Sequence, residues 1–303
     1  MSSSEFLSRD CPVCGSNRGQ AEVASARRAE RMSLKELHPF WYTFAGEKVF
    51  FTYARCPQCD VLYAPSFFSN DQLAELYSNM PANMDVGVPG ALDATQRGYW
   101  DMIAATATLE GGYLEIGPDV GHVARHAARE GKFDHFWFFE PNLAVHGELA
   151  ASVEGKPCHI SSAMTDLAAV PDGSVGVAVM VHVLDHLVDP ADLLRQVQAK
   201  LRPDGVLAVV THNEGSVLRK VMGRKWSPFC LQHPELYSPG SITNLLRATG
   251  FAHVDVCRAK NYFPFSFMAR QAAGLVGLNL EKVPLPDTVI GLRLGNMLTL
   301  ARS

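Results

Sequence analysis

The chain has 303 residues, 47% hydrophobic and 19% charged. That is the balance of a folded globular protein, with length for about two domains, and it excludes a disordered or fibrous chain. The net charge of −4 disfavours a phosphate-rich partner such as nucleic acid, which calls for a basic protein. Apolar runs such as Val175–Val181 fall far short of the ~18 residues a membrane span needs. No basic start leads into an apolar stretch, so no secretory leader is expected. Seven cysteines, an odd number, fit a reducing, cytoplasmic setting better than a disulfide framework.

Four of the cysteines form two pairs, Cys11-Pro-Val-Cys14 and Cys56-Pro-Gln-Cys59. A C-x-x-C turn aims two sulfurs at one centre, and two such turns complete the closed four-thiolate shell of a structural zinc ion. The proline inside each pair and Gly15 after the first suit a tight knuckle. The aromatic, β-branched run Phe50–Arg55 predicts a strand leading into the second pair. A redox thiol cluster is the competing reading, and two pairs flanking a strand favour zinc. Cys158, Cys230 and Cys257 stand among apolar neighbours and are expected as small buried hydrophobes. Arg27, Arg28, Arg31 and Lys35 alternate with Glu30 and Glu36, the pattern of a solvated helix face. Ser69 or Asn70 is placed to cap a short helix over 72–77. Met80–Gly90, with two prolines and two glycines, predicts a linker. Residues 1–79 therefore read as a zinc ribbon with a connecting helix, 80–90 as a linker and 91–303 as a second domain.

From residue 91 helices and strands alternate. Ala91–Leu109 has helical periodicity, with Tyr99, Trp100, Ile103 and Ala107 at turn spacing. Strands are predicted over Tyr113–Ile116, His135–Phe139, Val175–Leu184 and Gly205–Thr211, with a helix ending at Glu130 before Gly131. This alternation implies an α/β fold, a parallel sheet covered by helices on both faces. Ligands of such sheets sit at the carboxyl ends of the strands. Glu115 closes the first strand and Glu140 the second. A carboxylate after the second strand is placed to accept from both hydroxyls of a ribose. The turn Gly117-Pro118-Asp119-Val120-Gly121 lets a ligand approach the backbone closely. Asp119 at its centre disfavours a pyrophosphate and suits a cationic sulfonium or ammonium group.

Leu114–Gly121 resembles the first motif of class I S-adenosylmethionine-dependent methyltransferases, and Phe139-Glu140-Pro141-Asn142 is similar to their ribose-binding second motif. Val183–Pro190 resembles their V-L-E-H-x-x-D-P segment, and Leu201–Gly205 their L-[KR]-P-G-G turn. Ser238 and Ile242–Phe251 are similar to a further stretch of the family, and Gly295–Ala301 to its last strand. The chain departs from the pattern at Asp119 and Val120, at Val175-Gly176, and at Asp185, where glutamate is usual. The resemblance implies a Rossmann-like seven-stranded sheet and S-adenosylmethionine as methyl donor, held by Glu115, Gly117, Gly121, Glu140 and Pro141, with adenine near Met164, Thr165 and Asp166. The knuckles in front make the chain similar to members acting on small metabolites, including sugar C-methyltransferases of natural-product pathways.

Methyl transfer from a sulfonium needs alignment and, for a hydroxyl or carbon acid, a base. If 182–186 forms one helical turn, His182, Asp185 and His186 share a face. His186 is then the candidate base, with Asp185 orienting it. A divalent metal held by His182, Asp185 and His186 is one competing reading, and a related cluster occurs in quinone-pathway methyltransferases that this segment resembles; in the other, His186 merely caps the turn and contacts the cofactor. Asp189 is expected to cap the next helix, with Pro190 at its first position. His212 ends the following strand, where it could face the substrate, and His233 and Tyr237 lie in an aromatic loop over 226–237; each of the three reads first as a packing or hydrogen-bonded group rather than a catalyst. Arg219, Lys220, Arg224 and Lys225 read as solvated surface. The apolar, aromatic stretch over 259–290 is expected as an inserted lid, with a packing face or homodimer contact as the equal alternative. The expected function is methyl transfer to carbon or oxygen of a small metabolite. An RNA-modifying enzyme gripping nucleic acid through the ribbon, and a silent binding protein of the same fold, are the alternatives.

Overall fold

The computed structural model describes residues 5–41, 48–78, 90–275, 278–280 and 283–303. The linker expected over 80–90 lies, up to residue 89, outside them. Seven strands form the central sheet: β1 (Glu110–Ile116), β2 (Lys132–Phe139), β3 (Cys158–Ser161), β4 (Val175–Val181), β5 (Leu201–His212), β6 (His253–Arg258) and β7 (Asn296–Arg302). Their order is β3-β2-β1-β4-β5-β7-β6. Neighbours from β3 to β5 pair in parallel, and β7 runs antiparallel to both β5 and β6. This is the expected α/β sheet with seven strands. The helices are α1 (Ala91–Ala104), α2 (His122–Glu130), α3 (His146–Ser152), α4 (Pro190–Lys200), α5 (Val217–Met222), α6 (Pro239–Ala248) and α7 (Phe265–Leu275).

Alternation along the strands explains the two covered faces. Tyr113, Val177, Val179, Val206 and Ala208 pack with α1, α2 and α3 through Trp100, Ile103, Val123 and Leu149. Their neighbours in sequence, Leu114, Ala178, Met180, Leu207 and Val209, pack on the other face with Leu193, Val197, Ile242 and Leu246 of α4 and α6. Both faces are dry, so the strands read as nearly continuous apolar runs. Two boundaries and one cap differ from expectation. The first helix ends at Ala104, short of residue 109. The fourth strand ends at Val181, and Leu184–His186 form a separate 3-10 turn. Asp189 stands at the N-cap of α4, with Pro190 in the first turn, but its side chain makes no capping bond. Ser69 does cap its helix, Asn70–Ser78, in a reciprocal pair with Gln72.

The N-terminal residues build a small antiparallel sheet from Gln20–Val23, Tyr53–Arg55 and Leu62–Tyr63, and its fourth strand, Glu235–Leu236, comes from the aromatic loop after β5. The loop is thus a structural part of the N-terminal unit. The same unit holds an aromatic core of Phe6, Trp41, Phe51, Phe67 and Phe68. The Arg9–Glu235 ion pair, N···O 3.1 Å and almost wholly buried, fastens the first strand region to that loop, and Arg9 also donates to the Val188 carbonyl. Between β6 and β7, Asn261–Pro264 and Val289–Leu292 form a hairpin around α7. The hairpin packs on α1: the Tyr262 amide donates to Thr95 Oγ1 at 2.8 Å, and Asn261 Nδ2 donates to the Tyr99 hydroxyl at 2.7 Å. Among the described residues no helix is long and apolar enough to cross a membrane.

Burial pushes the Glu235 carboxyl up to about 8 against the opposing pull of Arg9, the mark of a pair that is expensive to desolvate. Arg9→Met alone is expected to destabilise the fold by about 3–5 kcal/mol in denaturant unfolding, because it leaves a buried carboxylate unpaired. Arg9→Met combined with Glu235→Leu should recover most of that loss.

Candidate active site

The turn after β1 is shaped by positive backbone angles: Gly117 has φ +66°, Asp119 +53° and Gly121 +79°. A side chain on Gly117 would meet Val183 Cγ2 at 2.5 Å, and one on Gly121 would meet Ser152 Oγ at 2.4 Å. The Gly117 amide donates to the Phe139 carbonyl at 2.9 Å, joining the turn to the end of β2. There Glu140 accepts from the amides of Asp119 and Asn142 at 2.9 and 2.8 Å, one on each oxygen. A carboxylate has about four acceptor positions, so lone pairs remain for a diol. Burial, and then the Glu140 charge, raise the Asp119 carboxyl to about 6. Glu115 is buried and accepts from the Tyr113 hydroxyl at 2.7 Å; burial lifts it to about 8. It faces the interior of the sheet unit and supports Tyr113. Pro141 and Asp166 are exposed, and the Asp166 carboxylate accepts from the Ala168 amide at 3.0 Å. The Glu140 amide donates to Ser161 at the end of β3, so the segment leading to Asp166 begins beside the Glu140 crevice.

A second cluster lies beyond β4 and β5. His182 takes the left-handed conformation, φ +52°, before the Leu184–His186 turn. His182 and His186 therefore do not share the face that one helical turn over 182–186 would give. His182 Nε2 lies 3.1 Å from Asn296 Nδ2. His186 is bonded through both ring nitrogens, Nδ1 to the Tyr77 hydroxyl at 3.0 Å and Nε2 to His233 Nε2 at 3.1 Å. Asp185 is completely buried between them. Its Oδ2 accepts from the His212 amide at 3.4 Å, and its Oδ1 has no partner. Donor atoms of Asp185, His182 and His212 lie within 4.8 Å of one another, as do those of Asp185, His186 and His233. The structure thus adds His212 and His233 and divides the expected His182–Asp185–His186 set into two.

The electrostatics follow from burial. Burial opposes charge on Asp185, but His233, His212, His186 and His182 around it hold its carboxyl well below the usual range. Burial would also depress His233, yet the Cys230 thiol at 3.3 Å and then Asp185 raise it to about 9. Its Nε2–H accordingly donates to His186, which burial and that charge hold down at about 3. Cys230, expected as an apolar filler, is instead the polar neighbour of His233. Cys158 is half-buried and Cys257 exposed, so neither is the buried hydrophobe expected. Asn296, Tyr77 and Cys230 carried no local signal of a site, since their partners lie far away in sequence.

The N-terminal unit roofs this cluster. Tyr53 donates to the His233 carbonyl at 2.6 Å, Gln232 donates to the Trp41 carbonyl at 2.9 Å, and Arg55 pairs with Glu214 after β5. In the same unit the four knuckle sulfurs converge: Cys11 and Cys59 are 3.4 Å apart, Cys14 and Cys56 3.5 Å, and all four lie within 4.8 Å of one another. These spacings are too long for disulfides. They fit a tetrahedral ion about 2.3 Å from each sulfur. Gly15 and Asp60, the residue after each pair, both take positive φ and close matching turns onto Cys11 and Cys56.

A family model described as a methyltransferase domain matches residues 96–256, more than half of the chain. The chain belongs to this methyltransferase family, whose methyl donor is S-adenosylmethionine. Among solved structures, a SAM-dependent methyltransferase from Archaeoglobus fulgidus is similar at 15% identity, over 70% of this chain and 93% of that one, with a TM-score of 0.49. An S-adenosylmethionine-dependent methyltransferase from Mesorhizobium loti is similar at 18% identity, over 68% and 98%, with a TM-score of 0.47. Comparison with curated proteins returns no significant match. In this methyltransferase the Gly117–Gly121 turn is sterically tight. Gly121→Ala is expected to cost about 2 kcal/mol or more in thermal unfolding, through left-handed strain and the clash with Ser152.

Proposed function

We propose that this methyltransferase moves the methyl group of S-adenosylmethionine to carbon or oxygen of a small natural-product or sugar-type metabolite. The observation that carries the reading is Glu140, held by two backbone amides at the end of β2 beside the Gly117–Gly121 turn. Glu140 would hold the ribose diol, Gly117 and Gly121 would admit the amino-acid end, Glu115 would brace the strand and Pro141 the loop. Asp119 would offer negative charge to a cationic ligand, and the Met164–Asp166 segment would line the adenine side. The bound donor supplies an electrophilic methyl carbon whose bond to sulfur breaks, leaving the electron pair on sulfur, as the acceptor forms its new bond. The imidazole cluster of His182, Asp185 and His186, with His212 and His233, would take the acceptor's proton.

The roof over the cluster supports a small acceptor, because Tyr77, Tyr53 and the Arg9–Glu235 pair occupy the space beyond β4. Two arginines near the knuckles, Arg55 and Arg219, are paired with Glu22, and Arg55 also with Glu214. This neutralisation and the net charge of −4 weigh against an RNA acceptor. Phe265 and Phe267 leave apolar surface on the insertion, which supports a cover for the substrate or a contact with a second copy. Free cysteines throughout the described residues support a cytoplasmic, reducing location.

The four knuckle sulfurs would hold one structural zinc ion, closing the N-terminal unit without entering the reaction. Elemental analysis of gently purified protein is expected to return about one zinc per chain. Cys14→Ser should lose it and loosen the roof, seen as earlier proteolysis of the N-terminal residues; zinc retained by this variant counts against the assignment. Calorimetric titration with S-adenosylmethionine tests the donor site. Glu140→Ala should weaken binding at least about tenfold, equivalent to one charged hydrogen bond, with the circular dichroism spectrum unchanged. Unaltered affinity would refute the placement. Affinity absent from the unmutated protein would leave a silent member of the fold.

A further inference from the structure

Asn296, the first residue of β7, places its amide between two imidazoles. Its Nδ2 is 3.1 Å from His182 Nε2, and its Oδ1 is 3.1 Å from His212 Nδ1. The two rings lie 4.5 Å apart between centroids, tilted by 33°. The amide also reaches the Tyr99 hydroxyl, which Asn261 holds from the inserted hairpin. An amide offers a donor on one side and an acceptor on the other. Whichever way it is turned, it donates to one ring and accepts from the other. The rings meet it through different nitrogens, so two neutral imidazoles bridged in this way share one tautomer: both carry their proton on Nδ1, or both on Nε2. In either case one of the two remaining nitrogens is bare and the other protonated.

The amide as it is placed selects the first: Nδ2 faces His182 Nε2 and also donates to the Tyr99 hydroxyl, while Oδ1 faces His212 Nδ1. His182 Nε2 then accepts from Asn296, His212 Nδ1–H donates to Asn296, and His212 Nε2 keeps its lone pair. His186 has neither nitrogen to spare. We propose that His212 Nε2 is the catalytic base of the methyl transfer, and that His182 and Asn296 are positioning residues that fix its tautomer. This rests on the methyltransferase reading above.

Burial, and next to it His182, keep His212 neutral at ordinary pH, so the lone pair is present when the acceptor arrives. A neutral imidazole takes a proton as it is released, which fits an acidic hydroxyl such as that of a phenol or an enol. As the acceptor's electron pair forms the new bond to the methyl carbon, its proton passes to His212 Nε2. The imidazolium so formed stands close to the Asp185 charge and loses the proton to water afterwards. The titratable groups against His212 are His182 and Asp185 from the segment after β4 and His233 from the 226–237 loop. A cation held by both rings would need a bare nitrogen on each, which one bridging amide forbids.

The test uses the full zinc-loaded chain labelled with ¹⁵N-histidine, the signals being assigned through His212→Gln and His182→Gln. Both rings are expected as the Nδ1–H tautomer. In Asn296→Asp, which can only accept, His182 should switch to Nε2–H while His212 stays as it is. In a second measurement 4-nitrophenol is added with S-adenosylhomocysteine at pH 6. Its phenol band should shift to the red on binding, as for a hydroxyl donating to a lone pair, and His212→Gln should abolish the shift. His212 found with its proton on Nε2, no red shift in the unmutated protein, or a second metal ion lost on His212→Gln would each overturn the proposal. Calorimetry on the same samples separates the two readings. His212→Gln should leave S-adenosylmethionine affinity within about twofold. No affinity in the unmutated chain would sink the donor site alone and leave the tautomer result standing.

Discussion

A fully buried carboxylate has to be answered from every side, and Asp185 is answered by four imidazoles. The four come from three places. His182 and His186 flank Asp185 after β4, His212 ends β5, and His233 arrives from a loop that belongs to the N-terminal sheet. Without Asp185, His233 would lose one of the charges that keep it protonated, and the direction of the bonds through His186 to Tyr77 would be undefined. The low dielectric that makes such a network costly when incomplete also makes it rigid when complete. Asp185 Oδ1 and His182 Nδ1 are left buried without a hydrogen-bond partner.

The same constraint explains why the N-terminal unit cannot be a loosely tethered module. Its sheet takes its fourth strand from the loop carrying His233, and its helix supplies Tyr77 to His186. Its core residues Cys11, Cys56, Val61 and Tyr63 are continuous with Ile242 and Leu245 of α6. A buried arginine–glutamate pair fixes the register of the two parts. Ordering the knuckles is therefore tied to ordering the walls of the acid–base cluster, although the sulfurs themselves lie outside it.

The two halves of the site obey different physics. The crevice at Glu140 is built from backbone: left-handed residues, amides aimed at Glu140, and close packing of Gly117 and Gly121 against Val183 and Ser152. The histidine cluster is built from side chains. The crevice is read from consecutive residues, while the cluster depends on contacts such as Asn296 with His182, 114 residues apart.

That difference separates what the amino-acid order determined from what folding added. Strand-and-helix alternation, the glycine turn, Glu140 and the paired cysteines were legible because each depends on residues close together in the chain. Periodicity, turn chemistry and ligand spacing are local properties. The division of the expected His182–Asp185–His186 set, the polar neighbour of Cys230 and the placing of the 226–237 loop were not legible in the same way. Which partners a histidine meets depends on other elements, and the left-handed turn at His182 parts it from His186. Only the assembled sheet, with β7 set beside β5, brings Asn296 against both His182 and His212.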